Sequence, residues 1–300
     1  MNEPLSQYGT WRIGGPADMI ISPCSASDVS LIQKYIYEND IPSIVIGDGS
    51  NILFDDEGFR GIVLHIGRNM SSVKIHNDGR VNAQGGIWVP NFVSKVCKAG
   101  LQGCEHAIGV PGTLGGLIVM NGGTNRRGIG EQLTQAITVN QFGGIQSFSA
   151  EECQFLYRTS IFQKNHYIIV EASFQYEHGD KASLRTSMLK TLKERNKKFP
   201  RKMPNCGSVF LSDPSLYATV GPPGKAIEEV GMKGVSCGDA LISPLHANFI
   251  VNMGGATAAD VFHLIKLAKR KVAEKFNINL ELEVKLIGFP KTMTQEMYHA

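Results

Sequence analysis

No stretch of this chain approaches the roughly 20 consecutive apolar residues that a membrane-spanning helix needs. The opening residues Met1–Thr10 are polar and carry no secretory leader, which predicts a cytoplasmic protein without membrane attachment. The six cysteines (Cys24, Cys97, Cys104, Cys153, Cys206 and Cys237) are scattered, and no two are spaced as C-x-x-C. That spacing argues against structural zinc and thioredoxin-like chemistry and predicts reduced thiols. There is no H-E-x-x-H helix and no G-x-S-x-G elbow, and His246 has no companion at metal-ligand spacing, so no metal site is expected. Net charge is small at +3, and no basic run is interleaved with aromatics, so nucleic acid is not an expected partner. The densest basic stretch, Lys193–Lys202, reads as a solvated helix end and linker, or as a wall that attracts an anionic substrate. Internal repeats and low-complexity tracts are also missing.

What is present is an ordinary globular composition, 42% hydrophobic and 19% charged over 300 residues, long enough for two or three domains. Strand and helix signals alternate. Asp18–Ser22, Ser43–Ile46 and Gly61–Ile66 read as strands, and Ser27–Asn39 as a helix capped by Ser27. Val73–Ala83 reads as a hairpin turning at Asn77-Asp78-Gly79. Val89–Ala99 reads as a helix closed by Gly100. Ala136–Val139, Ile145–Phe148 and Tyr167–Tyr176 are strands of a second α+β unit, and Ala182–Lys198 is a helix that Pro200 and Pro204 end. Further on, short strands are expected at Ser208–Phe210 and Phe249–Asn252. A long helix over Ala258–Phe276 has a capping box at Thr257 and Asp260 and an inner face of Val261, Ile265, Ala268, Val272 and Phe276. A last strand is expected over Leu280–Ile287.

Glycine is abundant, 33 residues against a roughly 7% average, and it is clustered. Gly47-Asp48-Gly49-Ser50-Asn51 directly follows an apolar strand. Such a loop lets backbone N–H groups approach a phosphate, though a tight strand-to-loop turn would use the same residues. It is not the G-x-G-x-x-G fingerprint that opens a Rossmann helix. A second cluster runs Gly109-Val110-Pro111-Gly112-Thr113-Leu114-Gly115-Gly116. Two such loops, some sixty residues apart, suit the two ends of a dinucleotide. Three other stretches hold chemically able residues with simpler readings beside them. Arg158, in Tyr157–Ser160, is on its own most simply a surface residue. Ser208, after Gly207, reads equally as a turn residue. Glu281 and Glu283 share one face of an alternating strand, which is also what a solvated face looks like.

Taken in order, TWRIGGPAD (Thr10–Asp18), VIGDGSN (Val45–Asn51), GVPGTLGG (Gly109–Gly116), YRTSIF (Tyr157–Phe162), CGSVF (Cys206–Phe210), HANFIVN (His246–Asn252) and LELEVKLIG (Leu280–Gly288) resemble the MurB family, the UDP-N-acetylenolpyruvylglucosamine reductases, along nearly the whole chain. The compact YRTS spacing and HANFIVN resemble its shorter subtype, which lacks an extra substrate-binding insertion. The resemblance implies an α+β protein. A two-subdomain FAD-binding fold of the vanillyl-alcohol-oxidase/PCMH type (residues 1–66 and 67–198) would precede an α+β substrate-binding domain (199–300) whose last residues pack back on the first subdomain. It implies FAD contacts at Gly47, Asp48, Gly49, Ser50, Asn51, Gly109, Gly112, Thr113, Gly115 and Gly116. No histidine or cysteine lies within Val45–Asn51, where some relatives attach flavin covalently, so dissociable FAD is expected.

The resemblance further implies an NADPH-driven reduction of UDP-N-acetylglucosamine enolpyruvate to UDP-N-acetylmuramate, a step of peptidoglycan synthesis and so of cell shape and division. Hydride would pass to the terminal vinyl carbon, and enolate charge would develop on the neighbouring carbon and its carboxylate. The implied catalytic set is Arg158, Ser208 and Glu283. The residue types suit it: Arg158 to hold the carboxylate, Ser208 to deliver a proton, Glu283 to relay or orient it. Glu283 rather than Glu281 matches the second glutamate of L-E-x-E-V, and Leu282 stands where proline is usual. Lys197, Lys198, Arg201 and Lys202 would suit a pyrophosphate. Three stretches depart from the family pattern. Asn121-Gly122-Gly123-Thr124-Asn125 replaces N-A-G-A-Y. Leu211-Ser212-Asp213-Pro214 loses a lysine. Val220-Gly221-Pro222-Pro223-Gly224 alters a glycine-rich approach. A relative reducing another enol ether or enoyl acid, or a flavin-binding module without turnover, are the alternatives these leave open.

Overall fold

The computed structural model of the protein describes residues 2–124, 126–164, 166–212 and 214–299. Asn125 and Asp213, which belong to two of the departing stretches, lie outside the described residues. Contacts divide the chain into two compact units, one of Ile20–Asp48 and Gly61–Arg195, the other of Met1–Met19, Gly49–Arg60 and Asn196–Ala300. Consecutive segments 1–66, 67–198 and 199–300 therefore do not coincide with the units, because two early pieces of chain join the C-terminal one.

The unit of residues 20–48 and 61–195 is built on a five-stranded antiparallel sheet. Its order is Ile145–Ser149, Leu133–Val139, Ile168–Gln175, Arg80–Gln84 and Val73–Ile75. The last two strands are the expected hairpin, and Gly79 takes φ +84° in its turn. The helix Val89–Lys98 buries Phe92, Val93, Val96 and Cys97 in the same core as Phe174 and Tyr176 of the sheet side. Gly100, one residue past the C-cap, adopts φ +86°, the left-handed closure that favours glycine. A smaller core gathers Val29, Leu64, Ile66, Met70 and Val170. Val29 comes from the helix Ala26–Glu38, whose cap is Ser25 and not Ser27: the Ser25 hydroxyl accepts from the Asp28 N–H at 3.0 Å. Only Ser25 has the extended backbone a cap requires. Ser43–Ile46 pairs in parallel with Ile62–His65 and delivers the chain into the first glycine cluster.

In the other unit, the strands Ser236–Cys237, Ala240–Ile242 and Ile250–Asn252 form an antiparallel sheet against the helix Ala258–Phe276. The capping box is as expected, Asp260 N–H to Thr257 Oγ1 at 3.1 Å and Thr257 N–H to Asp260 Oδ2 at 2.9 Å. Asp56 adds a second cap, accepting from the N–H groups of Ala258 and Ala259 at 2.7 and 3.0 Å. Trp11 is buried in this core, its indole N–H donating to Ile250 O at 2.7 Å, and Asn252 Nδ2 returns a bond to Trp11 O. Two expected strands are shorter than the alternation suggests. Ser208–Phe210 makes only one bridge, Phe210 to Leu282, and Leu280–Ile287 is a strand only over Lys285–Ile287, parallel to Ile52–Phe54. The ladder ends at a contact between distant segments: Val209 O accepts from both Glu283 and Val284 N–H, at 2.9 and 3.4 Å. Burial still alternates, with Leu280, Leu282, Val284 and Leu286 inside. No described helix is long and apolar enough to cross a membrane.

Candidate active site

The two glycine clusters meet in space. A Cβ on Gly47 would lie 2.1 Å from Thr113 Oγ1 and 3.1 Å from Thr113 Cβ, so only glycine allows this approach. Thr113 is itself buried. Gly112 O accepts from the Val89 N–H, and Leu114 N–H donates to Ile87 O, which fixes the second loop at both sides of Thr113. Gly115 N–H donates to Gly85 O at 2.7 Å. Gly85 and Gly86 were not singled out by their motif, yet a Cβ on either would meet backbone oxygen, Ile169 O at 2.3 Å and Gly67 O at 2.0 Å. The glycine pair that ends the strand Arg80–Gln84 was the available signal. Gly109 O accepts from Arg195 Nε at 3.1 Å. Burial pushes the Asp48 carboxyl above the usual carboxylate range, against the opposing pull of Arg68.

Arg158 stands at the tip of a tight turn in which Leu156 and Thr159 exchange backbone hydrogen bonds, both 3.1 Å. Its φ of +55° is left-handed, an unfavourable state for arginine that the surroundings enforce. Gln163 Nε2 donates to Arg158 O at 2.8 Å, and Asn121 Nδ2 donates to Leu156 O at 2.9 Å. The guanidinium donates to Gly123 O at 2.9 Å and lies 5.4 Å from the Tyr157 ring centre. It borders an open cleft of about 600 Å³ shared with Tyr157, Arg126, Arg127, Glu131 and Glu151. Asn121, from the first departing stretch, and Gly128 also line the cleft. Burial holds His106 neutral, its pKa below the ordinary value, and its Nδ1 accepts from the Thr124 N–H while Thr124 Oγ1 donates to His106 O at 2.6 Å. Neither Asn121, Gln163 nor His106 has a pattern that sequence alone would pick out.

In the unit of residues 1–19, 49–60 and 196–300, Gly49 takes φ +57°, and a Cβ there would lie 2.3 Å from Tyr8 O. Asn51 Nδ2 donates to Glu283 O at 2.9 Å, and Asn51 O accepts from the Lys285 N–H at 2.9 Å. Ser208 follows Gly207, which is left-handed at φ +86° with open space around it. The next residue, Val209, takes the Glu283 N–H on its carbonyl and gives its own N–H to Asn248 O. Asn248, buried, brackets Phe210 with both ends of its carboxamide, each at 2.9 Å. Ser208 and Glu283 are thus held in neighbouring, hydrogen-bonded segments. Cys206 is buried beside them, its thiol pushed well up by burial and then by the Glu283 charge. Arg158 belongs to the other unit. Lys197, Lys198, Arg201 and Lys202 are exposed, and Arg201 bonds Asn196 at 2.8 Å.

The first loop fits a phosphorylated cofactor. Among the described residues, the backbone N–H groups of Gly47, Asp48, Gly49 and Asn51 donate to no protein acceptor. A backbone N–H left without a protein acceptor on a glycine loop is a donor that a phosphate oxygen can take. Thr10, whose N–H donates to Gly49 O, has a buried Oγ1 that finds no partner among the described residues.

Residues 17–149 match the family of FAD binding domains, and residues 199–287 match the UDP-N-acetylenolpyruvoylglucosamine reductase C-terminal domain. Fold and loops together define a flavoprotein. The chain is 42% identical to UDP-N-acetylenolpyruvoylglucosamine reductase 1 of Corynebacterium glutamicum, over 95% of this chain and 85% of that one. It is 39% identical to the reductase of Carboxydothermus hydrogenoformans, over 96% and 93%. The crystal structure of the reductase (MurB) from Thermus caldophilus superposes with a TM-score of 0.79 at 28% identity, covering 96% of this chain and 98% of that one. The chain belongs to the UDP-N-acetylenolpyruvoylglucosamine reductase family, and its α+β architecture is an FAD-binding domain followed by that family's C-terminal domain.

Proposed function

We propose that the protein is a cytoplasmic FAD-dependent oxidoreductase that reduces UDP-N-acetylglucosamine enolpyruvate to UDP-N-acetylmuramate, with NADPH as electron source, in peptidoglycan synthesis. The observation that carries this reading is the segment pairing of Ser208 with Glu283: the carbonyl of the residue after Ser208 takes the Glu283 N–H at 2.9 Å. Gly47, Asp48, Gly49, Ser50, Asn51, Gly109, Gly112, Thr113, Gly115 and Gly116 are the residues assigned to holding FAD without a covalent bond. Bound FAD supplies the hydride. Arg158 holds the enolpyruvyl carboxylate through two N–H donors and stabilises the enolate charge that grows beside it. The Ser208 hydroxyl gives its proton to the enolate carbon, and Glu283 orients that hydroxyl and restores its proton, so one hydride and one proton saturate the double bond. The segments 1–66, 67–198 and 199–300 serve as two cofactor subdomains and one substrate domain.

Reduction of a different enol ether or enoyl acid is the second reading. It is favoured by the first departing stretch, whose Asn121 lines the cleft that Arg158 borders, with Arg126 and Arg127 just beyond that stretch in the chain. Anaerobic stopped-flow absorbance separates the two: NADPH-reduced protein is reoxidised rapidly by UDP-N-acetylglucosamine enolpyruvate under the first reading and not under the second. In Ser208→Ala, flavin remains bound and reducible by NADPH, and reoxidation by the enolpyruvyl compound slows by about 10²–10⁴-fold. Unchanged reoxidation in that variant removes Ser208 from the proton step.

A further inference from the structure

We infer that Asn51 is a positioning residue for Glu283, and that through it occupancy of the flavin loop sets the placement of the proton relay. The inference rests on the assignment of Glu283 under the reductase reading, and it changes the role of one loop member. Asn51 lies in the glycine loop, but its side-chain amide donates to Glu283 O at 2.9 Å, and its carbonyl takes the Lys285 N–H at 2.9 Å. One residue therefore brackets the peptide groups on both sides of Val284. From the opposite side, Val209 O holds the Glu283 N–H. Glu283 has its N–H fixed by the Ser208 segment and its C=O fixed by the flavin loop. The strand that continues from it, Lys285–Ile287, pairs with Ile52–Phe54, the residues directly after Asn51.

The Asn51 backbone N–H, by contrast, donates to no described protein acceptor. A phosphate that captures this N–H restrains the peptide from which the Asn51 side chain projects. Restraint of Asn51 fixes the Glu283 carbonyl, because an amide–carbonyl bond tolerates little angular drift before it weakens. The Glu283 carboxylate is one residue's geometry from that carbonyl. In the absence of flavin the loop keeps the same bond with more freedom, and the relay is less well placed.

The test uses the full-length protein as apoprotein and reconstituted with FAD. Amide hydrogen exchange is followed over residues 281–286 in the unmodified chain and in Asn51→Ala. FAD is expected to slow exchange in this segment about tenfold in the unmodified chain, and Asn51→Ala to remove most of that protection at saturating FAD. Equal protection in both chains, or none in either, overturns the inference. A second readout is the pH profile of flavin reoxidation by the enolpyruvyl compound at saturating FAD. Asn51→Ala is expected to slow this step about 10-fold or more and displace its profile, because Glu283 is misplaced. Weaker FAD binding with an unshifted profile would make Asn51 a cofactor ligand only and overturn the inference. If exchange is coupled as expected but the enolpyruvyl compound reoxidises neither chain, the reductase reading fails while the link from Asn51 to Glu283 stands.

Discussion

At the scale of single residues, the loop after Ser43–Ile46 is governed by what cannot fit in it. Gly47 needs no unusual φ. It needs the absence of a Cβ, because Thr113 Oγ1 would be 2.1 Å away. Gly47→Ala is expected to lower FAD affinity by about tenfold or more, since the two loops must separate by roughly an ångström to admit the methyl. The offending atom is a side-chain hydroxyl, so Thr113→Ala should recover part of the loss. A double-mutant cycle on FAD dissociation constants checks this, and additive effects would disprove the contact as the cause. Asp48 makes a pH prediction. Burial raises its pKa above 3.8 in the folded protein, so folding favours the neutral carboxyl. That stabilisation is present below the ordinary carboxylate range and is lost as pH rises through the raised folded value. At neutral pH the ionised carboxylate is a net cost. Asp48→Asn should therefore raise the apoprotein Tm at pH 7 and flatten the decline that sets in as pH rises above the ordinary carboxylate range. A Tm lowered equally at every pH would show that the carboxylate is needed for something other than its protonation state.

At the scale of elements, the Ser208 segment is held by side chains more than by a ladder. Asn248 gives and takes one hydrogen bond each with the buried Phe210 backbone. Asn248→Ala leaves an N–H and a C=O buried without partners and should cost about 2–4 kcal/mol by urea denaturation. A loss below about 0.5 kcal/mol would mean that water replaces the carboxamide. This also explains which elements were legible in the sequence. Helices with a strong apolar face and a capping pair, Ala258–Phe276 with Thr257 and Asp260 above all, are written locally and were readable to the residue. The Val73–Ala83 hairpin was readable because turn chemistry and alternation agree. Leu280–Val284 alternates and buries like a strand, and Ser208–Phe210 buries both Val209 and Phe210, yet both segments lack a ladder. What stops the ladder is Val209 O accepting two N–H groups, a tertiary event with no local signature. The residues proposed for the chemistry and the residues that hold them differ in what the sequence shows of each. Arg158, Ser208 and Glu283 sit in short patterns, whereas Gln163 and Asn121 act through backbone carbonyls that only the fold brings to them.

At the scale of the whole molecule, the chain passes between its two compact units four times, at 19/20, 48/49, 60/61 and 195/196. A pattern-based division cannot show this, because each segment reads locally as part of its neighbours. The consequence is that residues 199–300 do not hold a complete core. Trp11, Ile13 and Leu53 are buried in the cluster that contains Phe210, Ile250 and Ile265. The protein's two tryptophans offer a direct probe, since Trp11 is 1% exposed in one unit and Trp88 is 52% exposed in the other. Trp88→Phe leaves Trp11 as sole reporter, and Trp11→Phe leaves Trp88. A unit stitched from three separate pieces of chain cannot unfold without releasing segments whose ends are anchored in the other. Urea transitions followed by the two reporters in the apoprotein are therefore expected to share one slope. Their midpoints should differ only by the stability that Trp11→Phe itself removes, about 1–3 kcal/mol for losing the indole bond to Ile250 O and part of a buried ring. Two transitions of shallow and unequal slope would instead mean that each unit folds alone, and the crossings would then be connections without thermodynamic consequence.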